Sequence, residues 1–211
     1  MKKYITEFIG TFFLVMIICF AYTNAGALAP LAVGVGMIAL VYMGGPISKA
    51  HYNPATTLAF LLRGHIRGSE AAMYVGAQFA GAFSAARASE AMLGFSLAIG
   101  PDPAYQDFHV AKPLLAETLF TFLLAFTILN VAASKLTEGN EYYGIAIGLV
   151  VMVAVFVAAP ISGGAFNPAV GVSIAVIDGG SMERIWWYIV GPFMGAALGA
   201  IAFRLTHPDE I

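Results

Sequence analysis

Charge is what this chain has least of. Of its 211 residues 10% are charged and 60% are hydrophobic, whereas an ordinary globular domain carries about 25% charged residues. So little charge cannot clothe a water-facing surface, which excludes an ordinary soluble domain. The net charge of −2 is uninformative, but the chain has no basic stripe, so no nucleic-acid partner is expected. The lone Cys19 lies in an apolar run. It cannot form an internal disulfide and reads as a small core hydrophobe. The histidines, His51, His65, His109 and His207, are scattered, with no metal-ligand spacing among them. A phosphate loop is missing, and so is a nucleophile with a neighbouring base. No metal, no cofactor and no enzymatic activity are expected.

What the chain does have is long apolar runs. Several approach 20 residues, enough to cross a hydrocarbon core of ~30 Å. The expectation is an all-α integral membrane protein, one domain over residues 1–211, in contact with the lipid bilayer. Six spans read as about 4–22, 30–46, 70–94, 113–133, 143–159 and 183–204. The apolar runs 54–62 and 168–177 are left over. At 1.5 Å per residue each reaches ~14 Å, half a bilayer core, so neither spans alone. Lys2, Lys3, the first apolar run and "NAGALA" imitate a signal peptide. Glu7 interrupts that run, however, and the run has an internal counterpart that cannot be a signal.

That counterpart belongs to a repeat. "ITEFIGTFFLV" (5–15) echoes "LAETLFTFLLA" (115–125), setting Glu7 against Glu117. "ISKAHYNPA" (47–55) echoes "ISGGAFNPA" (161–169), and "YVGAQFAGA" (74–82) echoes "YIVGPFMGA" (188–196). The repeats cover about 1–96 and 110–211. Three spans per half is an odd number, so the second half enters from the opposite face and the repeat is inverted. Short helices at matching places in such halves point to the pathway. Lys2, Lys3, Arg63, Arg67, Lys135 and Arg204 fall on the N-terminal side, and Lys112 and Arg184 fall opposite. The positive-inside rule then places both termini in the cytoplasm. Short tails and loops suggest a prokaryotic inner membrane.

Each leftover run opens with Asn-Pro-Ala: Asn53-Pro54-Ala55 and Asn167-Pro168-Ala169. Asn is a strong N-cap, and Pro is favoured at the first helical position. One copy says only that a helix starts. Two copies in an inverted repeat bring two helix starts to one point at mid-membrane. The cap uses the Asn carbonyl oxygen and leaves its NH2 as a free donor. A water that gives its oxygen to both amides cannot accept from the next water, so a proton wire is interrupted. The positive helix ends also repel cations. Upstream, "GGPISKAHY" and "AAPISGGAF" are irregular stretches suited to a cavity wall. Ser48, His51 and Gly163 are therefore candidate vestibule residues, with backbone carbonyls forming an acceptor ladder.

With these features the chain resembles the aquaporin (major intrinsic protein) family. The resemblance covers essentially the whole chain, through both NPA motifs, the "ITEFIGTFFLV" opening, Glu7, Glu117, Gln78 and "VGPFMGAALGA". It implies six tilted helices plus two half-helices, a pore in each subunit of a homotetramer, and passive passage of water and small neutral solutes. It also implies that Glu7 and Glu117 accept hydrogen bonds from the NPA loops. A proton-coupled transporter using the two acids is the competing reading. Spacing from the NPA motifs carries the family's outer selectivity filter onto Val33, Val155, Gly164 and Val170. Water-selective members usually have aromatic, His, small and Arg there. Glycerol facilitators usually follow the second motif with Arg-Asp, whereas this chain has Val170-Gly171. The expectation is a wider, more apolar constriction that also passes ammonia, urea, peroxide or dissolved gas. The alternative is that a neighbouring polar group or bulky side chain narrows the mouth.

Overall fold

The computed structural model describes residues 1–98, 100–101, 111–179 and 185–210. His109, Arg184 and the first residues of the last expected span lie outside the described residues. Among the described residues no strand occurs, and every regular element is helical. In chain order the helices are α1 (Lys2–Asn24), α2 (Ala29–Ser48), α3 (Pro54–Arg63), α4 (Gly68–Leu93), α5 (Ala111–Ile128), α6 (Tyr143–Ser162), α7 (Pro168–Ile177) and α8 (Trp187–Thr206). A π-helical turn, Leu129–Ala133, prolongs α5. The short helices α3 and α7 are the two leftover runs.

Five of the long helices are apolar enough to cross a bilayer on their own, and less than half of each is buried. Their outward faces carry residues such as Phe13, Leu31, Leu119, Val153 and Leu198. Hydrocarbon is the solvent that such faces suit. The sixth, α4, is less apolar because Glu70, Arg87 and Glu90 lie near its ends and Ala, Gly and Ser fill its middle. Its place against α1, α3 and α7 makes it a span. Arg87 and Glu90 form an ion pair of 2.8 Å on its exposed side.

Small residues set how closely the helices approach. A Cβ at Gly81 of α4 would collide with the Phe8 carbonyl of α1, and a Cβ at Gly195 of α8 with the Thr118 carbonyl of α5. These are the same contact in the two halves. Gly34 of α2 and Gly148 of α6 face each other's carbonyls where the halves cross. The short helices are exchanged: α3 lies against α8, and α7 against α4. Each half therefore builds part of the other's wall.

The ends of the short helices follow from local rules. Asn53 and Asn167, in extended conformation, cap α3 and α7 and are followed by Pro54 and Pro168. Helix α3 stops at Gly64, φ 84°, with the His65 N–H reaching the Phe60 carbonyl at 3.0 Å. That is the left-handed glycine stop that satisfies a helix's last carbonyls. Beyond it Arg63 pairs with Glu210 at 3.1 Å and lies 5.0 Å over the Phe203 ring. Glu210 also accepts from the Ser134 hydroxyl (2.6 Å) and the Lys135 N–H (3.1 Å). Those bonds, the Ser134 hydroxyl foremost, hold its carboxyl down from 4.5 to about 2. The tail, α3 and the α5–α6 loop are thus tied at one point.

Candidate functional site

The site is built from two loops, 49–52 and 163–166, each held by a buried acid. Glu7 and Glu117 both have 0% exposure. Glu7 accepts from the Ser48 hydroxyl (2.6 Å), the His51 N–H (3.0 Å), the Tyr52 N–H (2.7 Å) and the Gln78 amide (2.8 Å). Glu117 accepts from the Ser162 hydroxyl (2.7 Å), the Ala165 N–H (3.1 Å) and the Phe166 N–H (2.6 Å). Hydrogen bonds to a charged acceptor are worth roughly 1.5–3 kcal/mol each. Three or four of them offset the cost of burying a carboxylate in a span. The acids thus brace the loops: the bonds on Glu7 fill its four acceptor sites, and those on Glu117 fill three of four. Tyr74 and Tyr188 complete the frame by donating to the Ser48 carbonyl (2.8 Å) and the Ser162 carbonyl (2.5 Å).

Both loops turn through left-handed backbone. Tyr52 and Phe166 share φ 48°. Gly163 and Gly164 take the other positive angles in the second loop, while the first uses Lys49 (φ 69°) and Ala50 (φ 51°). A residue with a Cβ costs about 1–2 kcal/mol in that region, so the Glu7 bonds hold the first loop against strain that the second avoids. The large Tyr52 ring occupies space that a Cβ at Gly10 or Gly44 would fill.

At the centre the two caps meet. The Asn53 carbonyl oxygen accepts from the Ala55 N–H at 2.8 Å, and that of Asn167 from the Ala169 N–H at 3.0 Å. The amide NH2 groups are not wholly free, which corrects the sequence reading. Asn53 donates one hydrogen to the Phe166 carbonyl (2.9 Å), and Asn167 donates one to the Tyr52 carbonyl (2.8 Å). The left-handed turn before each Asn swings that carbonyl toward the other loop. One hydrogen remains on each amide. The acceptor ladder is shorter than expected for the same reason. The Ser48, Tyr52, Ser162 and Phe166 carbonyls are occupied, which leaves three in the middle of each loop.

Three cavities adjoin at this centre through shared lining residues, His51 between the first two and Ile18, Val155, Gly164 and Val170 between the last two. An inner one of about 670 Å³ is lined by Ser48, Lys49, His51, Arg63 and His65, among others. A central one of about 30 Å³ is lined by Asn53, Asn167, Val33, Val155, Gly164 and Val170, among others. An outer one of about 460 Å³ includes Gly163, Gly164, Val155 and Val170. The central volume holds about two waters. His51 borders both inner and central cavities. Its Nδ1 is 3.1 Å from the Thr57 hydroxyl, while Nε2 has no partner. Among the described residues no group of His, Cys, Asp or Glu could hold a metal ion.

Val33, Val155, Gly164 and Val170 thus border one small chamber, and Val155, Gly164 and Val170 also border the outer one. Ser48 and Gly163 fall in the inner and outer cavities respectively. Gly171, after Val170, faces α8 instead, where a Cβ would strike Tyr188. Sequence reasoning missed Leu14, Ile18 and Tyr22 on α1, and Met37 and Phe120 beside them. A signal existed: Glu7, Leu14, Ile18 and Tyr22 are spaced by 7, 4 and 4, one face of a 3.6-residue helix. Ile18, like Val155, Gly164 and Val170, borders both the central and outer chambers.

A family model described as "Major intrinsic protein" matches residues 1–203. The chain is 37% identical to "Aquaporin NIP1-3" of Oryza sativa subsp. japonica, over 98% of this chain and 74% of that one. It is 34% identical to "Glycerol uptake facilitator protein-like 6" of Lactiplantibacillus plantarum, over the full length of both. Among solved structures it is similar to the aquaglyceroporin from Plasmodium falciparum, with a TM-score of 0.85, 16% identity, and 99% and 98% of the two chains covered.

Proposed function

Since this chain belongs to the major intrinsic protein family, we propose that the three adjoining cavities are its pore, which conducts water and small neutral solutes passively across the bilayer. One observation carries this reading: two half-helix N-termini, capped by Asn53 and Asn167, meet at a chamber of about 30 Å³. A water there gives its oxygen to the remaining hydrogen of each amide. It can then accept nothing from its neighbours, so protons do not hop through. The two positive helix ends, each about half a charge, keep cations out. His51 Nε2 takes up the water file on the inner side.

Val33, Val155, Gly164 and Val170, which border the same central chamber as the two Asn residues, form the selectivity filter. It supplies no cation and no side-chain donor, so a solute sheds water there against apolar walls. Small neutral species fit that wall: ammonia, urea, peroxide, dissolved gas. Glycerol belongs in the same panel, since a full-length relative is named a glycerol uptake facilitator-like protein. The repeats, about 1–96 and 110–211, each supply half of the path. The exposed apolar faces suit lipid, membership of the family supports a homotetramer, and the Lys and Arg distribution supports cytoplasmic termini, with a prokaryotic inner membrane as the proposed location.

The test is stopped-flow light scattering of proteoliposomes with water, urea, glycerol and ammonia. Passive flux above that of empty liposomes is expected. Flux that needs an ion gradient and vanishes in Glu7→Gln contradicts the channel and favours coupled transport.

A further inference from the structure

We infer that the groove around the start of α1 is a binding site for an anionic phospholipid, with the phosphate headgroup at its polar rim and the acyl chains against its apolar wall. This goes beyond the pore and does not depend on conduction. A cavity of about 800 Å³ opens where α1 begins, α2 ends and α4 begins. It adjoins the inner cavity through Lys3, Pro46 and Ile47. Its lining divides by chemistry: Lys2, Lys3, Arg67, Ser69 and Glu70 are polar, and Pro46, Ile47 and Met73 are apolar.

The rim carries an excess of positive charge. Lys3 pairs with Glu70 at 2.6 Å, which cancels one cation with the only acid in the lining. Lys2 and Arg67 are exposed and form no ion pair among the described residues. No described side chain caps the start of α4 at Arg67, so its first N–H groups are open to the same anion. The apolar side decides which source of phosphate fits. Ile47 and Met73 are 48% and 55% exposed, and Met43, one turn from Ile47 on α2, is 45% exposed. A free phosphate makes no use of them. A phospholipid uses both halves, cations at the headgroup level and apolar side chains one turn deeper, and basic pockets between membrane helices hold such headgroups.

The test is native mass spectrometry of the full chain in detergent, titrated with phosphatidylglycerol, phosphatidylcholine and glycerol phosphate. Wild type is expected to retain phosphatidylglycerol over phosphatidylcholine. Lys2→Gln combined with Arg67→Gln should weaken phosphatidylglycerol about tenfold to thirtyfold, since one Lys or Arg at an anionic surface is worth about fivefold. The same variant should leave phosphatidylcholine unchanged, and Lys2→Arg with Arg67→Lys should bind as wild type does. Lys135→Gln, which removes an exposed cation outside the groove, should change nothing. Equal retention of the two lipids overturns the proposal, and so does an unaltered affinity in the double Gln variant. A loss in Lys135→Gln as large as in that variant marks diffuse charge and overturns it too. Glycerol phosphate that displaces the lipid at equal concentration marks a free-anion site, and lipid that binds only dissociated protomers marks a contact between copies. Either result overturns the assignment.

Discussion

Glu117→Gln removes one charge and one acceptor from the brace beneath the second NPA loop, and its cost can be worked out bond by bond. Glutamine has one acceptor oxygen. If that oxygen faces the Ser162 hydroxyl and the Ala165 N–H, the new NH2 meets the Phe166 N–H, donor against donor. Turned the other way, it orphans the Ala165 N–H. Either way one buried donor goes unpaired, at about 1–3 kcal/mol. The surviving bonds lose their charge assistance, roughly another 1–2 kcal/mol together. The sum is about 2–5 kcal/mol, or ~4–20 °C in Tm at 2–4 °C per kcal/mol for a chain of this size. The Phe166 carbonyl also receives the Asn53 amide, so the damage reaches the centre, and water permeability should fall with stability. The assay is thermal unfolding in detergent beside liposome water flux. A variant with wild-type Tm would refute the brace. A stable variant that loses only a pH-driven flux would support the proton-coupled reading.

Val170→Arg places a long cation where Val155, Gly164 and Val170 border both chambers. Urea flux should fall at least about tenfold and water flux by less, since a molecule the size of water passes a narrowing that excludes urea. If stopped-flow finds both unchanged, Val170 does not line the constriction. Glu210 gives a pH prediction. Its folded carboxyl sits at about 2 against an ordinary 4.5, so its stabilisation is complete above about pH 4.5. It is lost as pH falls from there toward 2. Melting curves of wild type and Glu210→Gln should therefore separate above pH 4.5 and converge near pH 2. Curves that stay parallel across that window would rule out the Glu210 contacts as the cause.

Much of this was written in local pattern. Hydropathy and length placed the six spans and both half-helices within a few residues, because each boundary carries its own chemistry: Asn-Pro at the starts of α3 and α7, and glycine after Arg63. The family resemblance implied that Glu7 and Glu117 accept hydrogen bonds from the NPA loops, and the backbone N–H groups of His51, Tyr52, Ala165 and Phe166 supply them. What stayed hidden depends on pairings between distant segments. The Asn53–Phe166 and Asn167–Tyr52 bonds join residues 113 and 115 apart and require knowing how two loops face each other. Ile18 and Tyr22 look like any apolar helix residues until the direction of the pore fixes which face of α1 lines it. The left-handed turns at Lys49 and Ala50 were obscured because the first copy lacks the glycines that mark them in the second.

The central claim is that paired amides pass water and stop protons. Water flux and proton flux recorded on the same proteoliposomes test it most directly, with shrinkage followed by light scattering and lumenal pH by a trapped dye. The account predicts water flux well above that of empty liposomes, with proton leak no higher than theirs. Proton leak that rises in step with water flux would contradict it.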